Sequence, residues 1–137
     1  MSKPTLFVIL AVIDLLLPWG LFPRAVAETD DDLPPPTKRE VDFAKEIKPI
    51  FADRCLKCHG PEKQESGFRL DRKADALEGG KSGPAIEVGK SADSLLIRYV
   101  AGTDADIIMP PQGGRLTKEQ ISVLRGWIDQ GAKWAEE

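Results

Sequence analysis

Two cysteines and one histidine within five positions constrain this chain more than any other feature. Cys55-Leu56-Lys57-Cys58-His59 holds both thiols and the only imidazole of the 137 residues. Cys-x-x-Cys-His is the spacing of a c-type haem attachment site. Two thiols three positions apart at a helix end can each bond one vinyl group of the porphyrin, and the next residue turns its imidazole toward the iron. What the chain lacks narrows the reading. A structural zinc site takes four Cys or His ligands, and only three are present. A redox dithiol needs no histidine and sits near a βαβ pattern, which the sequence does not contain. The motif therefore points to one covalent haem c, with Cys55 and Cys58 on the vinyl groups and His59 on the iron.

A haem with one histidine needs a second axial ligand or keeps an open position. A second imidazole is excluded, since His59 is the only histidine. Of the two methionines, Met1 lies in an N-terminal stretch that reads as cleaved, which leaves Met109. Pro110 and Pro111 stiffen the backbone after it, so its side chain can be held against the iron at small ordering cost. A thioether ligand favours reduced iron and raises the potential. The competing reading makes Met109 a core filler and the haem five-coordinate, which would turn the protein into a ligand binder or sensor.

The flanking chain reads as one domain with an export leader. Residues 1–27 have a positive start at Lys3, a mostly apolar run from Leu6 to Leu17 and an Ala25-Val26-Ala27 cleavage site, the pattern of a signal peptide. Asp14, Pro18 and Pro23 interrupt that run and suit it poorly to spanning a bilayer. Its removal takes away Lys3, Asp14 and Arg24 and changes the formal net charge from −3 to −4. Residues 28–40 are acidic and proline-rich with one large apolar side chain, and read as a solvated, disordered linker. No basic patch with interleaved aromatics is present, so nucleic acid is not an expected partner.

From Val41 onward the pattern is helical. Asp42 is an N-cap, Phe43, Ile47, Ile50 and Phe51 share one face, and Pro49 kinks the helix or shifts its start. Gly67-Phe68-Arg69-Leu70-Asp71 alternates, which turns Phe68 and Leu70 to the haem pocket and leaves Arg69 at the rim. There its guanidinium either pairs with a haem propionate in bidentate fashion or stays solvated. Asp71 to Leu77 forms one or two helical turns. Ser91 caps a helix running to about Val100, whose Leu95, Leu96, Tyr99 and Val100 wall the pocket. Thr117 and Gln120 make a capping box, Ile121, Leu124, Trp127 and Ile128 follow at helical spacing, and Trp134 folds back on that last helix.

Helix, CxxCH, a variable middle, a methionine loop and a terminal helix is an order that resembles the class I cytochromes c. The details are more similar to the planctomycete-type cytochrome c domain. The pieces that carry the likeness are Val41-Asp42-Phe43, Ile47-Lys48-Pro49-Ile50, Cys55-Leu56-Lys57-Cys58-His59-Gly60-Pro61 and Gly67-Phe68-Arg69-Leu70-Asp71. Further along they are Gly79-Gly80-Lys81-Ser82-Gly83-Pro84-Ala85-Ile86, Met109-Pro110-Pro111 and Trp127-Ile128-Asp129-Gln130-Gly131-Ala132. The resemblance implies a small all-α fold over residues 41–137, with the N- and C-terminal helices crossing beside one haem and long loops between them. Cytochromes of the class often satisfy the second nitrogen of the ligating histidine with the carbonyl of a Gly-Pro pair, which here nominates Pro84. Relatives of this type are often parts of much longer chains, and their functions are not carried over.

The expected function is a soluble, exported mono-haem electron carrier working between redox partner proteins. No nucleophile–base pair, acid–base dyad or phosphate loop accompanies the motif, so the chain is not expected to be an enzyme. Its rivals are an electron-relay subunit of an oxidoreductase complex and a haem-based sensor.

Overall fold

The computed structural model describes residues 33–135, so the expected signal peptide and the first residues of the expected linker lie outside the described residues. The described part is helical, without strands. Four α-helices follow one another: α1 Lys48–Arg54, α2 Lys73–Glu78, α3 Leu95–Ala101 and α4 Lys118–Asp129. A π-helical turn, Phe43–Ile47, leads into α1, and short 3-10 turns lie at Glu65–Gly67 and Ser91–Asp93. Within these bounds no helix is long and apolar enough to cross a membrane.

The start of the first helix follows from its sequence. The Asp42 side chain accepts from the backbone N–H of Lys45 at 3.0 Å, capping the π-helical turn. Pro49 then falls in the first turn of α1, where its missing N–H would have no intrahelical partner anyway. The expected shift in helix start is met by a change of helix type at Ile47–Lys48.

The clearest helix is α4. Thr117 Oγ accepts from Gln120 N at 3.2 Å, and the Gln120 side chain accepts from Thr117 N at 2.9 Å, completing the capping box. Ile121, Leu124, Trp127 and Ile128 are buried along one side. That side packs on the Phe43–Ile47 turn, on α3 and on the Ser91–Asp93 turn. Trp127 is the centre of an aromatic cluster, with Phe43 and Phe51 each at 5.8 Å and Trp134 at 5.6 Å between ring centroids. Burying such rings supplies the largest hydrophobic contribution available to a small core. Trp134 does fold back, its ring 4.5 Å from that of Phe43, and Trp127 Nε1 donates to Lys133 O at 2.7 Å.

Ser91 does not cap α3. It sits in its own 3-10 turn, and α3 begins after Ser94. Ser91 N and Oγ donate to the Asp129 carboxylate at 2.8 and 3.0 Å, while Arg125 Nε donates to the same hydroxyl at 3.1 Å. A buried hydroxyl needs partners, and a carboxylate and a guanidinium from α4 meet that need better than a helix end does.

The chain around 33–40 also departs from expectation. Rather than a solvated linker, these residues lie along α4. Pro34 O accepts from Arg125 Nη1 at 2.7 Å, Pro35 O from Ser122 Oγ at 2.7 Å, and Thr37 N donates to Ser122 O at 3.0 Å. Leu33 packs against the core. The prolines that made this stretch look unstructured also lower its entropy when free, so docking it costs less. Gly126 makes the close approach possible, since a Cβ there would lie 2.5 Å from Thr37 Cγ2 and 2.7 Å from Thr37 O. Gly126→Ala should therefore lift this segment off α4 and destabilise the fold by about 1–3 kcal/mol, read from denaturant unfolding. An unchanged midpoint would show that the contact contributes nothing.

Candidate haem site

The attachment motif begins where α1 ends. Cys55 N still donates to Phe51 O at 2.8 Å, and Cys58 N and His59 N then both bond Cys55 O at 3.1 and 2.9 Å, winding Cys55 to His59 into a tight turn. Gly60 is required behind it, because a Cβ there would lie 2.4 Å from Leu56 O. The segment after the turn is stitched back to it. Glu65 N donates to Cys58 O at 2.9 Å and Leu70 N to His59 O at 2.8 Å. The His59 ring lies 5.2 Å from that of Phe68. Leu70, almost fully buried, completes this wall.

The opposite wall comes from α3 and the loop after it. Leu95, Leu96, Tyr99 and Val100 all line the space, as the stripe on α3 led one to expect. Gly102, in the left-handed conformation, ends α3, and the loop is then pinned at two points. Asp104 Oδ1 accepts from Asp106 N and Ile107 N at 3.0 and 2.9 Å, and Met109 N donates to Tyr99 O at 3.0 Å. These bonds bring Met109 to the cavity beside Pro110 and Pro111.

Between the walls lies one cavity of about 550 Å³, in the size range of cofactor pockets. Cys55, Cys58, His59 and Met109 all line it. The thiols are free and half-buried. Burial pushes the Cys55 thiol up to about 12, with the neighbouring Arg54 opposing the shift and Asp53 adding to it. It is therefore a neutral S–H near pH 7, compatible with an apolar wall. Among the described residues, no three side chains of His, Cys, Asp and Glu come together as a metal-ion cluster.

Two sequence-nominated residues stand elsewhere. Arg69 is not on the cavity wall. Its Nε and Nη2 pair with the Asp71 carboxylate at 2.9 and 2.5 Å, and this hydrogen-bonded pair holds the Asp71 carboxyl below the usual range. A carboxylate two residues away offers the guanidinium a bidentate partner inside its own segment. The cations that do reach the wall include Lys57 and Lys81, which sequence reasoning did not nominate. Lys63 also lines it and is paired with Glu65.

Pro84 is likewise exposed and off the wall. Gly80 and Gly83 close a turn on one another, with hydrogen bonds of 3.2 and 2.9 Å, and Ala85 O accepts from Leu96 N at 2.9 Å. Ile86 is buried as an anchor of this loop, but the expected hydrogen bond from His59 is not made. His59 Nδ1 is buried without a partner. A histidine so placed is unexplained by packing alone, since buried polar atoms are nearly always hydrogen-bonded. Two thiols, one imidazole and a thioether around one cavity make a donor set that fits a haem c.

The Asp104 turn yields a pH test of the loop. The Asp106 and Ile107 amides hold its carboxyl below its ordinary value of 3.8. The folded loop thus binds this proton more weakly than the unfolded chain. Its contribution is present above the unfolded value and fades as pH falls through the lower, folded one. The Asp106 and Ile107 amide resonances should titrate together with a midpoint below 3.8. A midpoint at or above it would show that the turn is not made in solution.

No curated protein and no solved structure matches the chain. One family model does, beginning at the first thiol and ending just past the methionine loop's proline pair. A cytochrome c domain implies covalent haem c and suggests a haem-based electron-carrying role, and Cys55 and Cys58 fit its CxxCH motif. Residues 55–113 match the Planctomycete cytochrome C family (PSCyt1), the family that the motifs resemble.

Proposed function

We propose that this protein is an exported, mono-haem c-type cytochrome that carries single electrons between redox partner proteins. The observation that supports this reading best is the convergence of Cys55, Cys58, His59 and Met109 on a single cavity. Bound there, haem iron cycling between its ferrous and ferric states would take up and release one electron. Cys55 and Cys58 would hold the porphyrin as thioethers, and His59 and Met109 would hold the iron. Fixing both axial ligands from the protein leaves no position for a substrate, which favours a carrier over an enzyme or a sensor. Met109, as a thioether, would favour the reduced state.

The walls support the same role. Phe68, Leu70, Leu95, Leu96 and Val100 make the interior apolar, and low polarity around a redox centre helps set its potential. Lys57 and Lys81 would meet the haem carboxylates in place of Arg69. The fold would be class I-like, with the Phe43–Arg54 stretch and α4 crossing beside the haem through the Trp127 cluster. The leader, residues 1–27, would be removed on export, leaving a mature chain that starts at Glu28.

Absorption spectra of the exported protein, oxidised and reduced, test the reading together with a pyridine haemochrome assay. One haem per chain, a reversible one-electron change and slow carbon monoxide binding are expected. Rapid carbon monoxide binding to the ferrous protein would make it a ligand binder or sensor. Two haems per chain would refute the mono-haem assignment.

A further inference from the structure

Arg54 occupies a position that the haem reading leaves unused. It is the last residue of α1, directly before Cys55, and its side chain lines the cavity. Its Nη1 donates to Gly114 O at 2.9 Å, joining the helix that delivers the attachment motif to the far end of the methionine loop. Asp53 Oδ2 lies 2.6 Å from the guanidinium Nε on the other side. Gly114 is fitted to this contact, since a Cβ there would stand 3.1 Å from Arg54 Nη1.

The loop has few other ties. Ahead of Met109 it is held by the Asp104 turn and by Met109 N on Tyr99 O. Beyond Met109, Pro110 and Pro111 have no N–H to donate. Among the described residues, the bond from Arg54 is the hydrogen bond that ties Pro110 to Gly114 to α1, and just beyond it Arg115 Nη2 makes a longer 3.4 Å bond to Val100 O on α3. Without the Arg54 bond the far flank keeps only that longer contact, and Met109 can swing about the near one.

We propose that Arg54 is a positioning residue that latches the methionine loop to α1 and keeps Met109 over the cavity. The inference rests on Met109 as the axial ligand. It adds that the latch, through its charge-assisted bond to a carbonyl, sets how often the loop opens. The prediction concerns the rate at which an outside ligand reaches the iron, and not the identity of the ligands.

The test uses the ferric holoprotein and imidazole as the probe, with the long-wavelength iron–sulfur charge-transfer band as the second readout. Arg54→Gln should retain the band and bind imidazole about tenfold faster, the equivalent of one charge-assisted hydrogen bond. Arg54→Lys keeps a charged donor without the planar fork and should lie between Arg54→Gln and the wild type. Gly114→Ala presses on the same bond from the other side and should also speed binding, so the proposal can be judged even if Arg54→Gln folds poorly. Arg72→Gln removes a guanidinium paired with Asp75 away from the cavity and serves as the control, with no expected change. A wild-type band together with unaltered imidazole rates in both Arg54→Gln and Gly114→Ala would overturn the latch while leaving Met109 in place. A wild-type protein without the band would overturn both readings.

Discussion

With Cys55 and Cys58 both changed to alanine, no haem should remain with the denatured polypeptide on a gel, whereas the wild type should keep its haem through denaturation. Each single change should leave one thioether and weaker retention. The effect is expected to be all-or-none in the double variant because the two thiols are the only cysteines of the chain. The turn that presents them is built from backbone bonds and from Gly60, neither of which needs the sulfur. The apoprotein turn should therefore survive, and the loss should be one of covalent attachment and not of folding. Haem that stays with the denatured double variant would refute the thioether assignment.

Met109→Ala should abolish the iron–sulfur charge-transfer band of the oxidised protein and lower its potential. A fall of roughly 0.1 V or more is expected, within the ~0.8 V range over which axial ligands set haem potentials. Met109 is the only methionine among residues 2–137, so no neighbour of the same type can replace it. Its main-chain bond to Tyr99 O does not depend on the side chain, and the loop should keep its course in the variant. Electrochemistry and the band are independent readouts. If neither changes, Met109 is a wall residue and the sixth position belongs to something else.

These two tests rest on residues that could be named from the sequence, because their chemistry is local. Cys-x-x-Cys-His lies within one helical turn, and its spacing alone carries the geometry. Met109 was nominated by the absence of a second histidine and by the stiff proline pair behind it. The helices were legible for a related reason. The Asp42 cap, the Thr117–Gln120 box and the apolar faces of α1, α3 and α4 are set by positions three or four apart, and the structure has them where periodicity placed them.

What sequence reasoning missed was decided between segments distant along the chain. Arg69 had a plausible anion in a haem propionate, but the Asp71 carboxylate two residues away takes both arms of the guanidinium. Pro84 belonged to a suitable dipeptide, yet the Gly80–Gly83 turn closes on itself and leaves the proline outside the wall. Ser91 looked like a helix cap until Asp129 and Arg125 competed for its hydroxyl from α4. Residues 33–40 looked solvated because composition counts apolar area and cannot see that two carbonyls and an amide find partners on α4. The tie of Arg54 to Gly114 spans sixty positions, and no local pattern encodes it. The sequence by itself determined the candidate donor types and the helix faces, since both are set by local residue types and spacing. Only the tertiary structure decided how the remaining polar groups are shared, because each goes to whichever partner the packing brings within hydrogen-bond reach.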